Sequence, residues 1–372
     1  MIMILLDYVF YAFIVVAVIQ AIFYLFFFGR LSFLKQKKTS QKDRDVSVII
    51  CAKNEAENLQ AFLPAVINQN YPNFEIVLIN DASTDNTLEV MEQFASQHEN
   101  IKIVNVRNNE TFWGNKKYAL TLGIKASKNE FLLFTDADCK PISKYWIRNM
   151  TTHFSNEKHL ILGYGGYSKI KNSLLNKLIR FETLITAIHY FSFAKLGIPY
   201  MGVGRNLAYT KTTFFKANGF INHIKVHSGD DDLFVNQVAN RKNTAICFSK
   251  NGFTESIPKT TFKDWFKQKR RHISTAKHYK LKHKILLTLI FSSQLLFWFF
   301  AITLFTTAHN WEIVLALSLF RIIIQYIILR KPSKKLKEND LLVFLPFLEV
   351  FLILIQLTIF INNLVSKPNY WK

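Results

Sequence analysis

The chain has 372 residues, with 47 Lys+Arg against 26 Asp+Glu, a formal charge of +21, and 35 phenylalanines in a composition that is half apolar. That pairing excludes a disordered basic tail, which lacks so much aromatic and aliphatic material. It also excludes an ordinary soluble domain, which seldom contains so much Phe.

Residues 9–28 (VFYAFIVVAVIQAIFYLFFF) carry no charge and match the roughly 20 residues a membrane-spanning helix needs. A signal peptide would want a basic start, a shorter apolar core and a small-residue cleavage site, so this segment reads as an anchor. Residues 285–308 form a second uncharged run, 313–329 a third with the single charge Arg321, and a fourth extends from Leu341 to about Leu364, interrupted by Pro346 and Glu349. The expected protein is integral to a membrane. Lys/Arg residues flank these runs: six in 30–44, ten in 259–284 and five in 330–337. Such an excess marks the cytoplasmic side, which places 30–284 in the cytoplasm, the N-terminus outside and the tip of a helical hairpin near His309–Trp311. Segment four either spans, with the C-terminus outside, or is re-entrant or interfacial, with the C-terminus inside. Cys51, Cys139 and Cys247 are too scattered for a disulfide framework and read as small core residues.

Between the flanking segments the pattern alternates. Val46–Cys51 is a continuous apolar run, as in a strand buried on both faces. A helix with Leu59, Phe62, Leu63, Val66 and Ile67 at helical spacing follows. Then come the strand Phe74–Ile79, a helix from about Asn86, the strand Ile101–Val106, a helix over 116–126 and the strand Phe131–Phe134. This rhythm predicts an α/β fold with a mainly parallel sheet and helices on both faces. Ligands sit at the carboxyl ends of strands in such sheets, and polar clusters at Lys53–Glu55, Asp81–Asp85 and Asp136–Asp138 fall at three such ends. Asp136 and Asp138, one residue apart after a buried strand, form a hard oxygen site suited to Mg²⁺ or Mn²⁺; the alternative is a turn cap beside a solvated carboxylate. Asp85 reads as a helix cap.

The segments VSVIICAKNEAENL, Ile79-Asn80-Asp81, Gly114–Leu120 and Phe134–Asp138 resemble the nucleotide-sugar-binding half of a family 2 glycosyltransferase of the GT-A fold, a membrane-anchored bacterial type related to cellulose-synthase-like and ceramide-glucosyltransferase-like enzymes. Further on, GVGRNLAY (202–209) and Gly229–Leu233 resemble that family's acceptor-side motifs, and Gln268–His272 its Q-x-x-R-W element. The resemblance covers roughly 46–275 in order. It implies that Ala52, Asn54, Glu55 and Asp81 hold uridine, that Lys116 or Lys117 approaches the nucleotide, and that Asp136 contacts ribose or sugar hydroxyls. Asp138, with Asp136, would ligate the metal that bridges the diphosphate. Asp230 matches the family's base aspartate, although Gly229 stands where the family has Glu. Asp231 is the next candidate, since like-charge crowding shifts one member's pKa, and Asp232 reads as helix N-terminal charge stabilisation. Gln268 and Arg271 lie three apart on an expected helix and can face one cleft, Arg271 toward the diphosphate. His272 replaces the family's Trp, which bears on acceptor identity.

The expected organisation is an N-terminal transmembrane helix (1–29), a basic linker (30–45), a cytoplasmic GT-A domain (46–258), a basic interfacial helix (259–284), a C-terminal transmembrane region of two to three helices (285–365) and a tail (366–372). The expected function is inverting, metal-dependent transfer from a nucleoside-diphosphate sugar, UDP-linked, to a membrane-lipid or lipid-linked acceptor at a bacterial inner membrane. Anionic lipids would be partners and nucleic acid would not. Two other readings stand beside it: a processive polysaccharide synthase, and a catalytically silent membrane protein that binds nucleotide sugar or lipid. Residues 174–200 fit either an interfacial guide for a lipid acceptor or burial against the sheet. Gly202 and Gly204 fit either close approach to the sugar or a turn. Arg321 and Glu349 are expected to pair within the membrane.

Overall fold

The computed structural model describes residues 2–34, 43–107, 116–226 and 228–366. Gly114 and Asn115 of the 114–120 motif, most of the basic linker, and the tail beyond Ser366 lie outside the described residues. In chain order, helix α1 (Ile2–Ser32) is followed by β1 (Val46–Ala52), α2 (Ala56–Ile67), β2 (Phe74–Asp81), α3 (Thr87–Gln97), β3 (Ile101–Val106), α4 (Lys116–Ala126) and β4 (Phe131–Asp136). Next come β5 (Cys139–Pro141), α5 (Trp146–Thr151), β6 (Leu160–Leu162), β7 (Gly165–Tyr167), α6 (Leu174–Leu196), β8 (Leu207–Thr210) and α7 (Lys211–Lys216). The chain continues through α8 (Asp232–Val238), β9 (Thr244–Ile246), β10 (Thr254–Ser256), α9 (Phe262–Ser274), α10 (Leu281–Thr306), α11 (Trp311–Lys335) and α12 (Leu345–Val365).

The main sheet has the order β3-β2-β1-β4-β8-β6-β9. Its first four strands are parallel, and β8 runs antiparallel between β4 and β6. The continuous apolar runs that mark β1, β2 and β4 are buried through their middles, with Cys51, Phe74 and Phe131 at the run ends half-buried, as in strands covered by helices on both faces. A small sheet, β5-β10-β7, adjoins the end of β4. This is the α/β architecture with a mostly parallel sheet expected above. Register aligns Cys51 with both Ile79 and Asp136, so the polar residues that follow β1, β2 and β4 emerge along one edge.

Among the described residues, four helices are long and apolar enough to cross a membrane: α1, α10, α11 and the segment containing α12. The first three form a bundle. Its far end is marked by Asp7 beside His309 at 3.0 Å and by Phe10, Phe13, Phe297, Leu304 and Val314 in one apolar cluster. Its near end meets the α/β domain, where Phe28 stacks on His189 of α6 with ring centroids 4.9 Å apart. Of the two readings of 174–200, the structure favours burial: α6 packs its apolar face into the main core beneath α1. The expected pair is present and joins α11 of the bundle to α12, with Arg321 Nη1 donating to Glu349 Oε2 at 2.7 Å.

Candidate functional site

The backbone at the end of β1 turns sharply, with Asn54 at φ +56°, a left-handed conformation that Asn tolerates better than most residues. Its carboxamide accepts from the Thr84 backbone N–H at 2.8 Å, and its own N–H donates to Ser83 Oγ at 3.0 Å. The Glu55 N–H donates to Thr87 Oγ1 at 2.8 Å, and the Glu55 carboxylate accepts from Asn58. The loops after β1 and β2 are thereby laced together. Asp85 completes the lacing by accepting from the N–H groups of Thr87 and Ala56 at 3.1 and 3.4 Å; burial works against its ionisation, but the Thr87 hydroxyl and then these N–H groups outweigh it and lower the pKa. Ala52 is buried at the β1 terminus. Asp81 is buried at the end of β2 with its pKa raised by burial, against the pull of Lys53 and Lys116.

Asp136 ends β4, and Asp138 follows it half-buried. Asp136, Asp138 and Cys139 each put one candidate ligand atom within 4.8 Å of the others. Burial, Asp138 and Asp136 push the Cys139 thiol well above its usual range, and its Sγ lies 3.2 Å from Asp138 Oδ1 as a donor. A protonated thiol is a poor ligand, so the useful donors are carboxylate oxygens. That set fits a hard divalent cation such as Mg²⁺ or Mn²⁺.

Two adjacent lysines at the start of α4 part company. Lys116 Nζ lies between two carboxylates, 2.8 Å from Asp136 Oδ1 and 3.2 Å from Asp230 Oδ2. Burial acts to lower its pKa, but these aspartates win and hold the ammonium well above its usual value. Lys117 turns the other way. Its buried ammonium donates to the carbonyls of His223, Val226 and Ser228 at 2.7–2.8 Å. Lys117 thus braces the loop that carries the acidic run, and of the two lysines it is Lys116 that faces the carboxylates at the strand ends.

The acidic run also divides. Gly229 sits at φ +96°, and a Cβ there would fall 2.5 Å from Leu233 Cδ1, so backbone geometry requires glycine at this position. Burial favours the neutral form of Asp230, but the Lys116 ammonium outweighs it and lowers the pKa. Asp231 caps α8: it accepts from the Asp232 N–H and from the Gly204 N–H, both at 2.7 Å. Burial, then Asp230 and Asp232, push its pKa up to about 7. Gly204 is placed by its N–H bond to Asp231; a Cβ on it would meet that carboxylate at 3.4 Å, an ordinary contact, so space does not require glycine here. Asp232 is buried and accepts from Thr275 Oγ1 at 2.5 Å and Tyr279 OH at 2.6 Å, just before α10. Its role extends past the helix-terminal charge expected of it, since it ties α8 to the membrane-proximal segment.

On α9, Arg271 is drawn toward Asp230, Asp136, Asp231 and Tyr167, while burial lowers its pKa. Gln268 lies half-buried one turn earlier on the same helix, and His272 is exposed. Arg205 joins the expected residues as one not singled out from the sequence: its guanidinium stacks on the Tyr167 ring at 4.3 Å with Asp138 and Asp136 nearby. Its signal was the charged residue inside GVGRNLAY. Cys51, read as core, lies half-buried on the floor of the cleft, and burial raises its thiol pKa.

A model of "Glycosyl transferase family 2" matches residues 47–218, and one of "Glycosyl transferase family group 2" matches 136–361, more than half of the chain. The chain belongs to glycosyltransferase family 2. The family 2 match at 47–218 takes in the laced loops and the Asp136–Asp138 pair, and the second adds the acidic run, α9, α10, α11 and most of α12. A Haemophilus influenzae protein named as an uncharacterized glycosyltransferase is 34% identical over 127 residues, covering 34% of this chain and 37% of its own. The poly-beta-1,6-N-acetyl-D-glucosamine synthase of Staphylococcus epidermidis is 34% identical over 125 residues, covering 32% of this chain and 29% of its own. The matched region thus spans well under half the length of either relative. A mannosyltransferase from Pyrobaculum calidifontis, solved with GDP-Man and Mn²⁺, superposes with a TM-score of 0.58 at 16% identity over 90% of this chain and 98% of its own, a likeness of fold.

Proposed function

We propose that this family 2 glycosyltransferase is an inverting, metal-dependent enzyme that moves a sugar from a UDP-linked donor to a membrane-lipid or lipid-linked acceptor, working at a bacterial inner membrane from the cytoplasmic side. The observation that carries the reading is the Lys116 ammonium held between Asp136, one of the two candidate cation ligands, and Asp230. It supports reading the donor end and the base end of one cleft as a single side chain apart.

In this reading Ala52, Asn54, Glu55 and Asp81 receive the nucleoside, Asp136 a sugar or ribose hydroxyl, and Arg271 the diphosphate. A divalent cation held by Asp138 and Asp136 would supply Lewis-acid stabilisation of the departing nucleoside diphosphate. Asp230, kept ionised by Lys116, takes the acceptor hydroxyl's proton as that oxygen attacks the anomeric carbon. The sugar–phosphate bond breaks as the new glycosidic bond forms, without a covalent enzyme intermediate. Asp231 is less suited to this role, because both its oxygens are already engaged by backbone N–H groups. The basic flanks at 259–284 and 330–337 support contact with anionic headgroups.

The test is detergent-purified protein with Mn²⁺ or Mg²⁺, a panel of UDP- and GDP-sugars and a native lipid extract, reading nucleoside diphosphate release and labelled product. Metal-dependent transfer to lipid is the expected result. A ladder of long polymer would move the reading to a processive synthase, a possibility that the named activity of the Staphylococcus relative keeps in view. Donor binding without turnover under any condition would overturn the enzymatic reading.

A further inference from the structure

Hydropathy assigns the segment ending in α12 a crossing of its own, but the packing around it describes something else. The helix has 21 residues, about 31 Å at 1.5 Å per residue, close to the thickness of a bilayer's hydrocarbon core. A crossing helix would therefore hold its two ends on opposite faces.

Both ends of α12 are tied to the catalytic domain. Just before its first turn, Arg180 of α6 binds Glu338 and donates to Asp340 Oδ1 at 2.7 Å, while Lys169 reaches Asp340 at 2.6 Å and Lys177 of α6 lies over the Phe344 ring at 4.4 Å. At its far end, Arg270 of α9 donates to Asn363 Oδ1 at 2.9 Å and to the Ser366 carbonyl at 2.6 Å, and the Asn363 carboxamide donates back to the Arg270 carbonyl at 3.1 Å. The two anchoring helices are joined to each other by the ion pair of Lys269 with Glu182. Contacts thus run in a closed ring from the start of α12 through α6 and α9 to its end.

The cores agree. Leu345, Leu348, Leu352, Ile355 and Ile359, one face of α12, belong to the main cluster shared with α6 and the catalytic domain. Among the described residues, the cluster at the far end of the bundle draws on α1, α10 and α11 and contains nothing from α12. The opposite face of α12 leaves Phe347, Leu354, Phe360, Ile361 and Leu364 exposed, continuous with the apolar outer surface of the bundle.

We propose that α12 does not cross the membrane. It lies along the face on which the catalytic domain sits, its exposed apolar side sunk in the acyl region of that leaflet, and residue 366 is on the catalytic side. The crossing helices are then α1, α10 and α11. A helix lying in the interface is stabilised by buried apolar area, and here its other face is covered by protein rather than water.

The inference rests on packing and not on the reaction, so its test needs no turnover. Paired cysteines at Arg270 and Asn363, in native membranes treated with a short thiol cross-linker, are expected to join. A crossing helix would place residue 363 far from α9, and failure of this pair to join overturns the proposal. Independently, Ser366→Cys and Val365→Cys, the latter outside the polar contacts described, are probed with a membrane-impermeant maleimide in sealed vesicles of both orientations. Neither is expected to react from the side that labels Asn310→Cys at the hairpin tip, and Ser366→Cys should react with Asn156→Cys of the catalytic domain. Reaction of either from the Asn310 side overturns it.

Discussion

Three consecutive aspartates, identical in chemistry, are made different by what touches them. Asp230 faces an ammonium, Asp231 two backbone N–H groups, and Asp232 two hydroxyls. If Asp230 is the base, Asp230→Asn should lower kcat about 10²–10⁴-fold, with donor affinity, measured by calorimetry, little changed. Unchanged turnover would move the base elsewhere. Asp231 predicts a separate effect, on stability. Its folded pKa of about 7 exceeds the unfolded value of about 3.9, so between these pH values the folded chain holds a proton that the unfolded chain releases. Stability therefore falls as pH rises from about 4 to 7 and levels off above that. Asp81 and Asp232, also raised, act in the same direction, whereas the lowered pKa of Asp230 acts only below the ordinary carboxylate range. In metal-free protein, Asp231→Asn should make the decline of Tm across this window shallower without abolishing it. Parallel curves for the two proteins would mean that Asp231 is ionised throughout.

At the scale of elements, the strands and the carboxylates at their ends were legible because a strand buried on both faces is written as an uninterrupted apolar run, and the polar residue that ends the run must lie at the sheet's edge. Nothing in the sequence distinguished Lys116 from Lys117. The difference arises from which way each leaves the first turn of α4, and the carbonyl cage that Lys117 enters is formed by a loop more than a hundred residues later. The same holds for the link from Asp232 to Thr275 and Tyr279, which joins α8 to the start of the membrane bundle. Replacing both hydroxyls, Thr275→Val with Tyr279→Phe, leaves a buried carboxylate short of donors, a loss of about 1–3 kcal/mol or more. The expected result is a lower Tm together with reduced kcat, because α8 begins two residues after Asp230. Restoring Tyr279 alone should recover part of both. A fall in Tm with kcat intact would make the link purely structural.

At the scale of the whole molecule, the sequence could locate apolar segments but not say how the last one lies, because both faces of α12 are apolar, one toward protein and one toward lipid. What fixes it is polar. The buried Arg321–Glu349 pair joins α11 to α12, with Gln20 and Gln325 accepting from the guanidinium at 2.7 and 2.8 Å and Tyr24 accepting from Gln325 at 2.9 Å. The network thus ties α1, α11 and α12 together inside an apolar setting. Removing one charged partner strands the other in low dielectric, which costs about 3–5 kcal/mol. Arg321→Leu and Glu349→Leu should each lower Tm in detergent markedly, with Glu349→Leu leaving the cation without its counter-charge. The exchange of both residues, Arg321→Glu with Glu349→Arg, should recover a large part of the loss. Carboxamides and a phenol can each donate or accept, so Gln20, Gln325 and Tyr24 can rotate to serve the reversed charges. The comparison separates pairing from packing: if the exchanged protein is no more stable than the worse single variant, side-chain shape rather than charge holds α12 against the bundle.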